Sequence, residues 1–182
     1  MGRRFICKIG ELDYEREDII VGACKIPPYR NADEGFPTLP IGVSYAFVVM
    51  DDITNFRRHP QMNTQPCLAR FRTKTDNSRR AYGRYLIAET LERNKIRNGK
   101  IIPAIEEFND MGAYRFVVSP EGYNYDCYRH YETWLSQGVP IIERNPLIEK
   151  KYEGLPILWT TDYSEITKDY LGGKWDEFKD KT

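Results

Sequence analysis

Three polar side chains are spaced so that they could act together in binding. Asp126, Arg129 and Glu132 lie three residues apart, and in a helix they would fall within one arc of about 120°. The turn that leads into them, 120–125, contains Gly122, which lets a backbone approach a ligand closely. An arginine at a helix N-terminus can bind a phosphate, and a carboxylate offers two acceptor oxygens to the adjacent hydroxyls of a ribose. The trio is therefore a candidate site for a phosphorylated ligand that contains a ribose.

The same trio also has a purely structural interpretation. Asp126 would then only cap the helix N-terminus, and Arg129 and Glu132 would form an exposed ion pair that stabilises the helix by about 0.2–0.5 kcal/mol. The spacing alone is compatible with both interpretations. On the same helix His130 lies off the apolar arc, so we expect it to be exposed.

A basic segment provides a second candidate for anion binding. The chain has 27 Lys and Arg and 27 Asp and Glu, and this zero net charge argues against a strongly basic nucleic-acid-binding protein. Residues 66–100 nevertheless contain ten Lys and Arg against three Asp and Glu. Within this segment Arg72 and Arg79 flank a polar loop that leads into a predicted helix. We expect both at the same edge of the sheet as Gly122; the alternative is that they are ordinary surface charges.

Hydrophobic patterns after residue 66 alternate between strand and helix. Strands are predicted at 67–72, 114–119, 139–142 and 155–159. Helices are predicted at 78–93, at 102–110, at 126–137, from 146 to a stop at Gly154, and from 162 or 164 to 171. This order predicts an α/β fold, a Rossmann-like parallel sheet with helices on both faces and with all four strands as parallel neighbours. Ligands bind such a sheet at the carboxyl ends of its strands.

The length of 182 residues fits one domain with an extension. We divide the chain into an irregular N-terminal part, 1–65, a Rossmann-like domain, 66–173, and a polar tail, 174–182, that should fray or lie on the surface. Within the N-terminal part, strands are predicted at 18–25 and 43–50.

The composition also indicates the cellular compartment and whether the chain binds a metal. No apolar run approaches the ~18–20 residues of a membrane span, and the N-terminus lacks the apolar core of a signal peptide. The four cysteines form no C-x-x-C pair, and the chain has two histidines, a pattern that does not favour zinc. We therefore expect a cytoplasmic protein with free thiols and no metal.

A longer residue pattern surrounds the trio. Residues 114–142, 152–158 and 162–167 follow the form P-x-G-x-G-x-D-x-x-R-x-W-E, then a strand with x-P-I, then Y-x-x-L-P and D-x-x-E. The matching positions are Pro120, Gly122, Asp126, Arg129, Glu132 and Pro140, while Asn124 replaces the second glycine and Tyr131 the tryptophan. In this block the chain resembles the exostosin-like glycosyltransferases, above all the short ones of large DNA viruses, phages and some microbes. Weaker matches extend upstream to about residue 36.

The resemblance implies the nucleotide-sugar-binding half of a B-type glycosyltransferase fold. It implies that Arg129 binds the diphosphate, that Glu132 binds the ribose, and that Gly122, Asn124, Asp126, Arg72 and Arg79 contribute to the donor site. Such an enzyme transfers a sugar from a nucleoside-diphosphate sugar to a hydroxyl of a glycan or glycoconjugate, without a metal. A fixed arginine and a helix N-terminus stabilise the charge that develops on the leaving nucleoside diphosphate.

The chain is short for a complete enzyme of this kind, because two Rossmann domains need about 250 residues. Residues 1–65 could form a reduced acceptor side, and Asp51, Asp52 and His59 are the candidates there for a general base. Otherwise a partner chain or a second copy would complete the cleft, or the chain is a non-catalytic module that binds a nucleotide sugar or a glycan. A third alternative, an RNA- or phosphate-binding protein that uses residues 66–100, has no nucleic-acid-binding motif to support it.

Overall fold

The computed structural model describes residues 5–9, 12–16, 42, 44, 62–74, 83–122 and 125–181. Near the N-terminus, β1 (Phe5–Ile9) and β2 (Leu12–Arg16) pair antiparallel, a hairpin that the sequence analysis did not predict. The strand predicted at 18–25 lies outside the described residues. Of the strand predicted at 43–50 only Ser44 is described, and Ser44 is not part of a strand.

The main sheet has four parallel strands. They are β3 (Gln65–Leu68), β4 (Tyr114–Val118), β5 (Val139–Glu143) and β6 (Leu158–Thr160). Their spatial order is β3-β4-β5-β6, and each neighbouring pair is parallel. The predicted Rossmann-like parallel sheet is therefore confirmed, although β3 ends at Leu68 rather than at residue 72.

Five helices are described between and after these strands. They are α1 (Arg84–Arg93), α2 (Ala104–Met111), α3 (Tyr128–Leu135), α4 (Pro146–Lys151) and α5 (Lys168–Phe178). Since each parallel strand must be reached by a crossover, the helices cover the sheet.

Both faces of the sheet are buried, and successive residues of β4 serve opposite faces. Phe116 and Val118 belong to a core cluster with Ile87 and Leu91 of α1. Val117 instead packs with residues of α2, Phe108 and Met111. On β5, Ile141 joins the first cluster, while Ile142 lies in a third cluster with residues of α3 and α4. This period of two explains why a strand buried on both sides reads as a continuous apolar run.

The last helix continues beyond the predicted end at Gly172 and Gly173. Helix α5 runs to Phe178, so most of the predicted polar tail is helical. Trp175 and Phe178 pack edge-on against Phe116, with ring centroids 5.8 and 6.0 Å apart. A glycine within a helix costs about 1 kcal/mol relative to alanine, whereas burying an aromatic ring stabilises by roughly 1.5–3 kcal/mol. The contacts of Trp175 and Phe178 with β4 therefore outweigh the tendency of the two glycines to end the helix.

The starts of three helices also differ from the predictions. Gly83 is extended, so α1 begins at Arg84 and not at residue 78; residues 75–82 lie outside the description. Cys127, and not Asp126, occupies the N-cap of α3. Thr167 caps α5 by accepting a hydrogen bond from the Tyr170 amide at 3.2 Å, whereas the sequence predicts a start at Asp162 or Ser164.

Helix α1 exposes two of its large apolar side chains. Tyr85 and Leu86 are 61% and 42% exposed. The residues of α1 that meet the sheet are Ile87, Thr90 and Leu91. None of the helices within the described ranges is long and apolar enough to cross a membrane.

The two kinds of glycine in this fold lead to opposite predictions for alanine substitution. At Gly172, within α5, an added Cβ meets nothing within 4 Å, so Gly172→Ala should raise the free energy of unfolding by about 0.5–1 kcal/mol. At Gly154 the space is equally open, but the backbone has φ +84°, so Gly154→Ala should lower it by about 1 kcal/mol. Urea denaturation of both variants measures the difference. Equal effects of the two substitutions would contradict this account.

Candidate functional site

A cleft of about 240 Å³ lies at the carboxyl ends of β3 and β4. Its described lining comes from the segments that follow these strands, from the starts of α1 and α3, and from the segment before α2. The lining residues are Phe71, Arg72, Arg84, Ile101, Pro120, Cys127 and Arg129. Three of the seven carry a guanidinium group, so the cleft is suited to an anion. Sites for whole small molecules usually measure about 300–1,000 Å³, so the described cleft is somewhat smaller than such a site.

Arg84 connects the two segments that form the walls of the cleft. Its Nε donates to the Glu121 carbonyl at 2.8 Å and its Nη2 to the Pro120 carbonyl at 2.9 Å. Its Nη1 donates to the Arg72 carbonyl at 3.3 Å. Arg84 thus fixes the loop after β4 against the segment after β3. The sequence analysis missed this role, because nothing in the spacing distinguishes Arg84 from the other basic residues of 66–100.

Arg129 lines the cleft from the first turn of α3. Its Nη1 donates to Glu107 Oε1 at 2.5 Å, and the other oxygen of Glu107 accepts from Arg70 Nη1 at 2.9 Å. Arg70 also binds Asp110 at 2.8 Å. Four charges from three parts of the chain therefore form one network, and the partner of Arg129 is Glu107 rather than Glu132.

Glu132 is buried one helical turn beyond Arg129, with 5% of its surface exposed. Its Oε1 accepts a hydrogen bond from the Ser44 amide at 3.4 Å. Burial raises the pKa of Glu132, while Ser44 and Arg129 act in the opposite direction. The residue is therefore not part of an exposed ion pair. It is also not among the described residues that line the cleft, and it faces the N-terminal segment that contains Ser44.

Asp126 contacts Lys151, the last residue of α4, and Tyr152, which follows it, while Cys127 occupies the N-cap of α3. The Asp126 carboxylate accepts hydrogen bonds from the Lys151 ammonium and the Tyr152 hydroxyl, and a third from the Tyr131 hydroxyl at 3.3 Å. Only 4% of the residue is exposed. The contact between Asp126 and Tyr152 joins two positions of the sequence pattern that are 26 residues apart. A structural role in packing is therefore enough to explain why both residues occur in the pattern.

His130 is fully buried, and the prediction that it is exposed is wrong. Its Nε2 lies 3.1 Å from the Ser119 carbonyl and its Nδ1 lies 3.1 Å from the Tyr152 hydroxyl. Because a carbonyl can only accept, Nε2 carries the proton. Burial lowers the pKa of His130 to about 4 and outweighs the nearby Asp126 carboxylate, so the imidazole is neutral at pH 7.

Gly122 lies beside the cleft without needing to be glycine. Its amide donates to Cys127 Sγ at 3.1 Å. An added Cβ would meet Arg84 and Cys127 at 3.5 Å, an ordinary contact distance. Burial raises the pKa of Cys127 to about 12, so the thiol is protonated.

The structure brings together part of the predicted site. Arg72, Arg129 and the Gly122 loop meet at one edge of the sheet. Two other predicted residues, Asp126 and Glu132, are buried and are not among the described residues that line the cleft. Arg79 and Asn124 lie outside the described residues, as do the three candidates for a general base, Asp51, Asp52 and His59. Within the described ranges, no group of three or more His, Cys, Asp or Glu could hold a metal ion.

The chain was also compared with known proteins. No model of a protein family matches it, and no curated protein matches it. The resemblance to exostosin-like glycosyltransferases therefore rests on the residue pattern alone.

Replacing Asp126 by Asn should destabilise the fold strongly. The substitution leaves the Lys151 ammonium, whose side chain is 14% exposed, without its opposite charge, and breaking a buried ion pair costs about 3–5 kcal/mol. Chemical denaturation gives the change in the free energy of unfolding. Asp176→Asn is the matched control, since its pair with Lys179 is on the surface, and it should have little effect. A similar loss in both variants would show that burial is not the cause.

His130 should make stability depend on pH. The imidazole takes up a proton near pH 6.5 in the unfolded chain and near pH 4 in the folded protein. Between these values the unfolded state binds more protons, so the free energy of unfolding should fall as the pH drops from 6.5 to 4, by up to about 3 kcal/mol. Denaturation curves at pH 7 and 4.5 measure this fall. In His130→Gln, which does not titrate, the fall should be smaller; an equal fall would assign it to other groups.

Proposed function

We propose that the chain binds a nucleoside-diphosphate sugar, with the diphosphate in the arginine-lined cleft, and transfers the sugar without a metal. The observation that carries this proposal is the meeting of Arg72, Arg84 and Arg129 around one cleft at the carboxyl ends of parallel strands. This is the edge at which open α/β sheets bind their ligands. The residue pattern around Arg129 supports the same assignment.

The contacts and position of Arg129 support its proposed role in binding a phosphate. Nη1 is bonded to Glu107, while a guanidinium has five donors in one plane, so further donors remain for a ligand. Its position in the first turn of α3 adds the positive end of the helix dipole. The Arg72 side chain is exposed at the same cleft. Together these groups would hold a diphosphate and stabilise the charge that it gains as it leaves the sugar.

Glu132 would bind the ribose of the donor. It lies three residues from Arg129 on the same helix and is already desolvated. A ribose has two adjacent hydroxyl donors, and a carboxylate accepts both. The Ser44 amide contacts Glu132, and Ser44 belongs to the part of the chain that we propose as the acceptor side.

The described lining of the cleft also favours an alternative to catalysis, a module that binds its ligand without transferring a sugar. The described lining includes no carboxylate and no imidazole, whereas an inverting transferase needs a general base near the acceptor hydroxyl. In the catalytic form of the proposal this base comes from residues outside the described ranges, such as Asp51, Asp52 or His59, or from a partner chain or second copy. Without such a base the chain would be a nucleotide-sugar- or glycan-binding module.

Calorimetric titration with UDP-, GDP- and TDP-sugars in EDTA should identify the donor. Arg129→Ala and Glu132→Ala should each weaken its binding by about ten- to a hundredfold, because each removes charge-assisted hydrogen bonds worth about 1.5–3 kcal/mol. Arg93→Ala, at the far end of α1 and exposed, should leave the affinity unchanged. If Arg129→Ala behaves like Arg93→Ala, the diphosphate does not lie in this cleft.

Release of free nucleoside diphosphate from the identified donor, followed with and without glycan acceptors, separates the two forms of the proposal. Turnover in EDTA supports the metal-independent transferase. Tight binding without turnover under any of these conditions supports the binding module.

A further inference from the structure

A buried carboxylate lies behind the cleft and is shared between two arginines. Glu107, on α2, has 7% of its side chain exposed. Its Oε1 binds Arg129 and its Oε2 binds Arg70, at 2.5 and 2.9 Å. Neither the charge pattern nor the residue pattern of the sequence draws attention to Glu107, which lies 22 residues before Arg129.

The two arginines differ in how much freedom they have. The Arg70 side chain is 13% exposed and has a second carboxylate partner, Asp110, at 2.8 Å. The Arg129 side chain is 25% exposed and lines the cleft. Among the described residues Glu107 is its only ion-pair partner. Without that bond, the long Arg129 side chain would regain its rotamer freedom, which a ligand would have to remove on binding.

We propose that Glu107 is a positioning residue, which holds the Arg129 guanidinium in place for the diphosphate of the ligand. The inference rests on the proposed function and extends it by one residue that does not touch the ligand. Because both carboxylate oxygens are in use, the length of the side chain matters as well as its charge. A glutamate spans the two guanidinium groups, and an aspartate, shorter by one methylene, cannot reach both.

This requirement for length allows charge and position to be separated. Glu107→Gln keeps the length and removes the charge, which by itself would favour an anion in the cleft. Glu107→Asp keeps the charge but shortens the side chain. A weaker affinity for the anion in this variant therefore reports the lost positioning of Arg129, because the charge near the cleft is unchanged. The informative variant is therefore Glu107→Asp. Asp110→Asn is the matched control, since it removes the other partner of Arg70 and leaves the bond to Arg129 intact.

The test uses calorimetric titration of the full chain with inorganic pyrophosphate, a probe that requires neither the base nor the sugar. Glu107→Asp should weaken binding by about tenfold, the cost of ordering one arginine side chain, and Asp110→Asn should not change it. In an Arg129→Ala background, Glu107→Asp should have no further effect, because it acts through Arg129. A merely structural role of Glu107 would weaken binding equally in both backgrounds.

The outcomes distinguish this inference from the function on which it rests. If Arg129→Ala weakens pyrophosphate binding and Glu107→Asp does not, Glu107 is not a positioning residue, although the anion site stands. A loss in Glu107→Asp that persists in the Arg129→Ala background also overturns the inference. If the wild-type chain binds neither pyrophosphate nor any nucleotide sugar, the proposed function fails, and the positioning role fails with it.

Discussion

The end of β4 leaves three consecutive backbone carbonyls that the sheet does not satisfy, and the site is built around them. The Ser119 carbonyl lies 3.1 Å from His130 Nε2, and the carbonyls of Pro120 and Glu121 accept from Arg84 at 2.9 and 2.8 Å. Unpaired buried carbonyls are costly, so these side chains must be present for the loop to adopt this path. The same bonds bring the starts of α1 and α3 together at the carboxyl edge of the sheet. The cleft is thus a consequence of how one strand ends.

Charges near the cleft are compensated within the protein before any ligand binds. Arg70 and Arg129 share Glu107, and Lys151 is paired with Asp126. Burying a charge without such a partner would cost several kcal/mol. Arg70 is a basic residue of the segment 66–100, and its two carboxylate partners offset its charge.

The sequence predicts the sheet well and the polar contacts poorly, for a physical reason. The apolar runs 114–119 and 139–142 are strands because both faces of a parallel sheet exclude water, and this leaves a clear periodic signal. The burial of His130 and the bonds of Asp126 depend instead on Tyr152, a partner more than twenty residues away. No local pattern reports such a contact. For the same reason Arg84 and Glu107 could not be distinguished from surface charges, whereas Arg129 stands out in the sequence by its spacing within a longer pattern.

Helix α5 determines how the domain can be assembled. The strands join the sheet in the order in which they occur in the chain, which would allow the sheet to grow from one edge as the chain is made. However, α5 follows the last strand and contacts the first strand of this sheet, β3, while its aromatic side chains reach Phe116 in the second. The core on that face therefore closes only after residue 178 is available. Contacts over so long a stretch of chain slow folding and make it cooperative. This part of the chain should therefore fold as one unit, in which β3 and β4 become stable only when α5 packs against them.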